Sequence, residues 1–537
     1  MTTKALVRTH AAILATLLMA SPPARGGKLT CLGTDPSVAD DATQLACART
    51  LLIGSNLDCP CASFDGSPGK THAAYLHCLK ATYDASVFEA SGGLRPQCKG
   101  TLLKQLRTAT CGYPGNLKPV ACVKKSLATE KVTCAIKPAA QCVDAAGAFT
   151  QVPCASSDCV DAADTNNDGV ISATDSGACA VDAGPTDLSE TLAGYRGDLP
   201  AIGAAVWKGG DLVAIGVSGV RKAGDSTPVT IHDEWHLGSD TKAMTATLIG
   251  LYVDRGKLRF EDTIESIFTG ETIDPGYAKV TIEQLLQHRG GAPYPTPADL
   301  WAQMSADGSA PDARIKAVRT LLSRPPAQAP GTYLYSNDGY MIAGAALERV
   351  VGLSWEQIMQ RDLFTPLQMG SCGFGAPGTA GRVDEPWGHQ LLSDGQTLIP
   401  VSPGPQGDFP PALGPSDTVH CSLADWGKFL ALPLAGARGE PTMVSPATMT
   451  RLQTPPVGGT YPDEGKYPFA YADGWILQSL PWTCGAMLTH SGSNTYWYAT
   501  ALLAPAKNVA VAVVTNQGDA GAAVRSVFRP LIEMYAR

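Results

Sequence analysis

The stretch His236-Leu237-Gly238-Ser239-Asp240-Thr241-Lys242-Ala243-Met244-Thr245-Ala246 decides how the chain is read. Residues 243–253 are apolar on nearly every side until Gly256 ends the run, which predicts a buried helix with Ser239 at its first turn. A serine and a lysine at this spacing project from one helix face, so Lys242 can reach the Ser239 hydroxyl. Nucleophilic catalysis needs such a pair, because a free serine hydroxyl is too weak an acid to attack without a neighbouring base. The same spacing recurs in Ser67-Pro68-Gly69-Lys70, but there glycine and proline leave no helix to hold the lysine in register.

Two further stretches extend the pattern. Tyr335-Ser336-Asn337 follows Pro330-Gly331 and precedes the apolar run 339–347, which puts Tyr335 and Asn337 on a turn that feeds a helix. His490-Ser491-Gly492 closes the segment 486–490 and is followed by two strand-like runs at 496–505 and 508–516, so His490 is expected on a strand at a sheet edge. Residues 201–207 and 211–216 flank Lys208-Gly209-Gly210 and read as a hairpin with a glycine turn. Thr281-Ile282-Glu283-Gln284 reads as a capping box opening a helix.

Taken in this order, S-x-x-K, Y-S-N and H-S-G resemble the three active-site elements of the serine β-lactamase and penicillin-binding-protein family. That family includes class C β-lactamases, D-alanyl-D-alanine carboxypeptidases and related esterases. The resemblance covers about residues 186–537 and implies an α/β fold. An antiparallel sheet flanked by helices would face an all-helical subdomain, with the active site between them. Residues 281–288 look like the family's L-L-x-H helix end, and residues 421–429 resemble the helix that closes the far side of its cleft.

The resemblance also assigns roles. Ser239 would be the nucleophile, with Lys242 as base and Tyr335 carrying the proton to the leaving group and back from water; which of the two is the formal base stays open. Asn337 would hold Lys242 and the substrate amide. The oxyanion hole would come from the backbone N–H groups of Ser239 and Ser493, next to Gly492. His490 stands where many β-lactamases have lysine and would meet a substrate carboxylate when protonated. H-x-G with Y-S-N is similar to some D-alanyl-D-alanine carboxypeptidases and D-amino-acid hydrolases. His288-Arg289-Gly290-Gly291 departs from the family, which usually has serine before the final glycine, and this puts the local turn chemistry in question. A class A arrangement, with S-D-N and a glutamate base, is missing from the sequence. The implied activity is that of a serine hydrolase acting on D-alanyl peptides, β-lactams or simple esters, with no cofactor needed for catalysis.

The sequence ahead of this region suggests an exported protein. Lys4 and Arg8 precede a short apolar run and Ser21-Pro22-Pro23-Ala24, a signal-peptide pattern over residues 1–25. Thirteen of the sixteen cysteines fall between Cys31 and Cys179, so residues 26–160 read as a small disulfide module. Zinc is the competing reading for Cys59-Pro60-Cys61 near His72 and His77, but the spacing fits no paired C-x-x-C site. Thirteen is odd, which leaves one cysteine free, bridged to another chain, or paired with Cys372, Cys421 or Cys484. The region around Cys47–Cys78 and Cys98–Cys142 is read as two diverged helical units.

Residues 161–185 form a linker with a calcium-loop pattern. Asp164, Asn166 and Asp168 occupy positions 1, 3 and 5, Gly169 position 6, Val170 position 7, Ser172 position 9 and Asp175 position 12. A structural Ca2+ is the expectation, against the alternative of an acidic linker.

The net charge of −8 with 17% charged residues and no basic run argues against nucleic acid as a partner. No apolar stretch is long enough for a transmembrane span. The expected ligand is a small-molecule or peptide substrate in a secreted or periplasmic setting, and the Cys-rich module is a candidate for binding a surface or polymer. The rival reading is an exported binding protein whose β-lactamase-like domain is catalytically degenerate.

Overall fold

The computed structural model describes residues 185–309, 311–461, 469–480 and 482–536, together with Ala73 and three strands at 119–126, 132–138 and 149–154. The chain divides into two compact units, with the boundary between Gly184 and Pro185. The signal-peptide pattern and the loop from Asp164 to Asp175 lie outside the described residues.

In the first unit, β1 (Pro119–Ser126) is central and pairs antiparallel with β2 (Val132–Pro138) and β3 (Phe149–Cys154). Val123 stands opposite both Cys134 and Val152. Of the helical unit expected around Cys98–Cys142, the described residues Pro119–Ser126 and Val132–Pro138 are strands. Val120, Val123, Val132, Thr133 and Ile136 are β-branched and favour the extended chain.

The second unit is built on strands β4 (Thr186–Asp187), β5 (Ala201–Lys208), β6 (Asp211–Gly219), β7 (Glu234–His236) and β8 (Gly373–Phe374). It continues with β9 (Gly388–Leu391), β10 (Leu398–Val401), β11 (Val419–Ser422), β12 (Thr460–Tyr461), β13 (Phe469–Tyr471), β14 (Ile476–Ser479), β15 (Ala486–Gly492), β16 (Tyr498–Ala504) and β17 (Val509–Thr515). Nine strands form one sheet in the order β12-β13-β14-β15-β16-β17-β5-β6-β4, antiparallel except for the β4–β6 pair. The β5–β6 hairpin turns through Gly209 and Gly210, whose φ of +68° and +94° suit a tight turn between right-twisted strands. The expected hairpin and its glycine turn are thus present.

The sheet is covered on both faces, and the strand sequences say how. In β17, Val509, Val511 and Val513 face one layer, where the helices Ser189–Arg196 and Gly521–Tyr535 pack with Leu192, Val527 and Phe528. Ala510, Ala512 and Val514 face the other, larger core. Each buried valine contributes about 1.5–3 kcal/mol. The alanines on the inner face leave room for helices to approach closely. One is Leu423–Gly436, where a methyl group on Gly427 would run into the Trp207 ring. This helix was expected to close the far side of the cleft. It packs on the sheet instead, because its apolar face matches the small residues of β5 and β17.

The strand carrying His490 is a second correction. β15 lies inside the sheet, between β14 and β16, and not at its edge. However, β14 pairs only with Ala486 through Thr489, whereas His490, Ser491 and Gly492 pair on one side alone, with Ala501, Thr500 and Ala499. The open edge is local to the motif, because the turn after Tyr471 starts β14 late.

Residues 255–365 form the all-helical part, and its Leu285, Leu321, Tyr340, Met341 and Ile358 share one continuous core with the inner face of the sheet. The capping box is present: the Thr281 hydroxyl accepts from Gln284 N–H and the Gln284 side chain accepts from Thr281 N–H. A disulfide joins Cys372, beside β8, to Cys421 on β11, and Cys484 is also disulfide-bonded. No described helix is long and apolar enough to cross a membrane. Among the described residues no group of His, Cys, Asp or Glu is arranged to hold a metal ion.

Candidate active site

Strand β7 ends at His236, and Gly238–Asp240 make a single 3-10 turn before the helix Thr241–Asp254. Gly238 takes φ +53°, and a methyl there would collide with the amide nitrogen of Ser493. This strand, turn and helix present Ser239 at a helix start, 8% exposed. Lys242 follows on the first helical turn and is fully buried.

The Lys242 ammonium has three oxygen partners. Nζ lies 2.8 Å from Ser239 Oγ, 2.7 Å from Asn337 Oδ1 and 2.9 Å from the Ser416 carbonyl oxygen. Burial lowers its pKa to about 8, against the opposing pull of Asp417 and Asp240. The Tyr335 hydroxyl donates to Ser239 Oγ at 2.8 Å. Burial holds that phenol well above its usual range, with Tyr471 and Asp417 adding to the effect, so it is a proton donor at neutral pH.

Tyr335 and Asn337 are placed by the helix Asn337–Val351, which Ser336 caps by accepting from Gly339 N–H. Ser336 also donates its hydroxyl to the Pro293 carbonyl, and its N–H donates to Nδ1 of His288. His288 ends the L-L-x-H helix and opens the turn in which Gly290 stands where the family usually has serine. It adopts φ +58°, a left-handed backbone normally left to glycine, and the turn is closed by Arg289, whose N–H reaches the Gln284 carbonyl and whose Nε–H reaches Gly331. The buried His288 ring packs, tilted, with its centre 4.2 Å from that of Tyr335 and 4.5 Å from that of Tyr471. Burial, then the charge of Lys242, pushes its pKa well down, so it supports Tyr335 as a neutral ring.

His490 comes to the same place but is 2% exposed. Its Nδ1 is 2.9 Å from the Ser491 carbonyl oxygen, which only a protonated nitrogen can satisfy, and its Nε2 is 3.1 Å from the Tyr471 hydroxyl. The ring centroid is 6.4 Å from that of Tyr335. Gly492 packs directly on the nucleophile turn, where a methyl would collide with the Leu237 carbonyl and stand 2.5 Å from the Ser239 amide nitrogen. The amides of Ser239 and Ser493 are thereby neighbours across the junction. The Ser493 side chain is turned aside, donating to the Gly518 carbonyl and accepting from Thr495 N–H, so only its backbone is available to a reacting group.

All seven expected residues of the hydrolase site therefore lie together, drawn from three separate parts of the chain. The six expected calcium ligands lie outside the described residues. Sequence reasoning missed Asp417, whose Oδ2 accepts from the Ser239 hydroxyl at 3.2 Å, as well as His288, Tyr471 and Asp408. Asp417 sits in Gly414-Pro415-Ser416-Asp417, where nothing local marks a catalytic group. Beyond this turn opens a cleft of about 1070 Å³ whose walls include Trp301, Phe409, Tyr496, Glu356, Asp408 and Thr418. Trp301 meets Phe409 edge-on at 5.2 Å, whereas Trp497 is fully buried and serves packing.

Comparison with known proteins agrees with this geometry. The family model described as Beta-lactamase matches residues 183–530. Penicillin-binding protein 4 of Amycolatopsis lactamdurans is 27% identical over 339 residues, 62% of this chain and 85% of that protein. The β-lactamase of Escherichia coli (strain K12) is 29% identical over 178 residues, 33% of this chain and 43% of that protein. In fold, the chain is similar to the penicillin-binding protein from Bacillus halodurans, with a TM-score of 0.51 at 22% identity, covering 64% of this chain and 98% of that one. The octameric penicillin-binding protein homologue from Pyrococcus abyssi gives a TM-score of 0.50 at 23% identity, covering 64% of this chain and 75% of that one. With a family model matched across residues 183–530 and the S-x-x-K, Y-S-N and H-S-G residues gathered at one point, this chain belongs to the β-lactamase family of hydrolases.

Proposed function

We propose that residues 186–537 are a serine hydrolase that works through an acyl-enzyme on Ser239, with D-alanyl peptides, β-lactams or simple esters as substrates. The observation that carries this reading is the pair of 2.8 Å contacts that Lys242 Nζ and the Tyr335 hydroxyl make with Ser239 Oγ. Such a cluster activates an alcohol for attack on a carbonyl carbon. The amides of Ser239 and Ser493 stabilise the oxyanion, and Tyr335 supplies a proton to the leaving group. Asn337 holds Lys242 in place. His490 meets a substrate carboxylate through Nε2, in exchange for its contact with Tyr471. The relatives named penicillin-binding protein and β-lactamase favour these substrate classes. A receptor that had lost its chemistry would have no need of an intact Ser-Lys-Tyr cluster.

The reading extends to export, by the signal-peptide pattern, and to a structural calcium ion held by the loop from Asp164 to Asp175. Calorimetry at millimolar calcium tests the latter, and absence of heat removes it. The Cys-rich module is proposed to dock the enzyme on a surface or polymer; unchanged attachment after its deletion defeats that part.

The test of the catalytic reading is intact-protein mass spectrometry during incubation with benzylpenicillin and with a p-nitrophenyl ester, using Ser239→Ala as control. An adduct or a burst of nitrophenol that the variant lacks is the expected result. Turnover that survives in Ser239→Ala removes the proposal.

A further inference from the structure

The hydrogen bonds around Ser239 can be counted. The Ser416 carbonyl and Asn337 Oδ1 accept only, so two of the Lys242 hydrogens point at them, and the third hydrogen of an ammonium points at Ser239 Oγ. Tyr335 donates to the same oxygen. Both lone pairs of Ser239 are then in use. Its own hydrogen goes to the remaining neighbour, Asp417 Oδ2, at 3.2 Å.

We propose that Asp417 is a catalytic residue, the carboxylate that takes the Ser239 proton during acylation and returns it during deacylation, while Lys242 stays an ammonium. The inference rests on the acyl-enzyme reading above. Asp417 is within hydrogen-bond reach of the proton it would take, as a general base must be. It is 1% exposed, and its other oxygen, Oδ1, has no hydrogen-bond partner. A carboxylate left half-satisfied in a buried place is a stronger proton acceptor than one in water.

Proton bookkeeping closes on these groups. As Ser239 Oγ bonds to the acyl carbon, its proton passes to Asp417, which becomes a carboxylic acid. The bond from the acyl carbon to the leaving oxygen or nitrogen breaks, and that atom takes the Tyr335 hydroxyl proton. The resulting phenolate is stabilised by the Lys242 ammonium, which stands 4.8 Å from the centre of its ring. Water then attacks the ester and gives its proton to the phenolate, and Ser239 leaves with the proton held on Asp417. Each group ends as it began.

The electrostatics fit this division. Burial raises Asp417 to about 6, with Lys242 and His236 opposing and Asp408 adding, so it is ionised at neutral pH, where Lys242, at about 8, is charged. Asp240 from the nucleophile turn and Tyr294 and Tyr335 from the helical part also face this carboxylate. Arg314 and Glu356 approach only Gly414, at the other end of the turn. Asp417 and Lys242 thus form a pair whose active state spans a window of pH near neutrality.

The deciding experiment is single-turnover acylation by a p-nitrophenyl ester from pH 4.5 to 9.5, in the full-length chain and in Asp417→Asn. The expected profile of the unaltered protein is bell-shaped, falling below about pH 6 as Asp417 takes a proton and above about pH 8 as Lys242 loses one. Asp417→Asn should acylate at least 100-fold more slowly at pH 7, lose the acid limb, and recover as pH rises and the Lys242 lone pair becomes available. If Lys242 were the base instead, removing the negative charge beside it would lower its pKa and make Asp417→Asn faster at pH 7. A gain, or a rate within threefold of the original, overturns the proposal. Should the variant fail to fold by near-ultraviolet circular dichroism, the unaltered protein decides: acylation that does not fall below pH 6 overturns it. An adduct on Ser239 with normal acylation by Asp417→Asn rejects only the Asp417 role, whereas turnover surviving in Ser239→Ala rejects the acyl-enzyme reading and this inference with it.

Discussion

Nε2 of His236 lies 2.9 Å from Oδ2 of Asp408, and the other oxygen of the same carboxylate accepts from Asn494 Nδ2 at 3.0 Å. His236 precedes the nucleophile turn and accepts the Gly238 N–H on Nδ1, so Nε2 carries the proton. Asn494 follows the third motif and accepts from the N–H groups of Tyr496 and Trp497. One carboxylate therefore fixes the spacing between the two amides proposed for the oxyanion hole.

Replacing Asp408 with alanine should loosen that spacing without unfolding the domain. A shift of about 1 Å at a reacting centre costs on the order of 100-fold in rate. Steady-state kinetics with an ester should show the loss in kcat, with KM little changed. A kcat equal to that of the original protein would show that the junction holds without Asp408.

Gly492→Ala tests the same junction from the strand side. The added methyl collides with the Leu237 carbonyl and crowds the Ser239 amide. Acylation should fall by on the order of 100-fold or more, the typical cost of losing an oxyanion donor. Gly194→Ala, on a helix with open space around it, is the control and should leave kinetics unchanged. Equal rates in both variants would sink the argument.

The Cys372–Cys421 bond closes a loop with a sequence separation of 49 and pins the strand that follows Asp417. Replacing both cysteines with alanine should lower stability by about 2–4 kcal/mol. Urea denaturation measures this. No change in midpoint would mean the packing of β8 on β11 suffices.

Asp338, one residue past Asn337, is fully buried and bonded only by Thr296 Oγ1, at 2.9 Å. Burial raises its carboxyl to about 7 from 3.8, so the folded protein keeps a proton that the unfolded chain releases. That contribution is present in full below about pH 4 and is lost as pH rises to about 7. Asp338→Asn should therefore gain stability relative to the original protein between pH 4 and 8, by roughly 4 kcal/mol. Unfolding curves at the two pH values check it, and a difference that does not vary with pH contradicts it.

The sequence by itself determined the elements that local chemistry controls. The apolar run behind Ser239 predicted a buried helix, Lys208-Gly209-Gly210 a turn, and residues 508–516 a strand. The motifs also named Ser239, Lys242, Tyr335, Asn337 and His490, because each motif carries its own turn or helix start.

Only the tertiary structure decided what comes between the motifs. That β15 is an interior strand with an open end depends on where β14 begins pairing, a register that no local signal sets. Asp417 and Ser239 are 178 residues apart, and neither Pro415-Ser416-Asp417 nor the residues around it have a pattern that marks a partner. His288 matched the family's L-L-x-H helix end, but its left-handed backbone and its place beside Tyr335 appear only once Ser336 is brought to its Nδ1. Secondary structure follows from bonds and side chains a few residues apart, which a sequence displays. The protonation of a buried site follows from burial and from charges that only folding brings within a few ångströms.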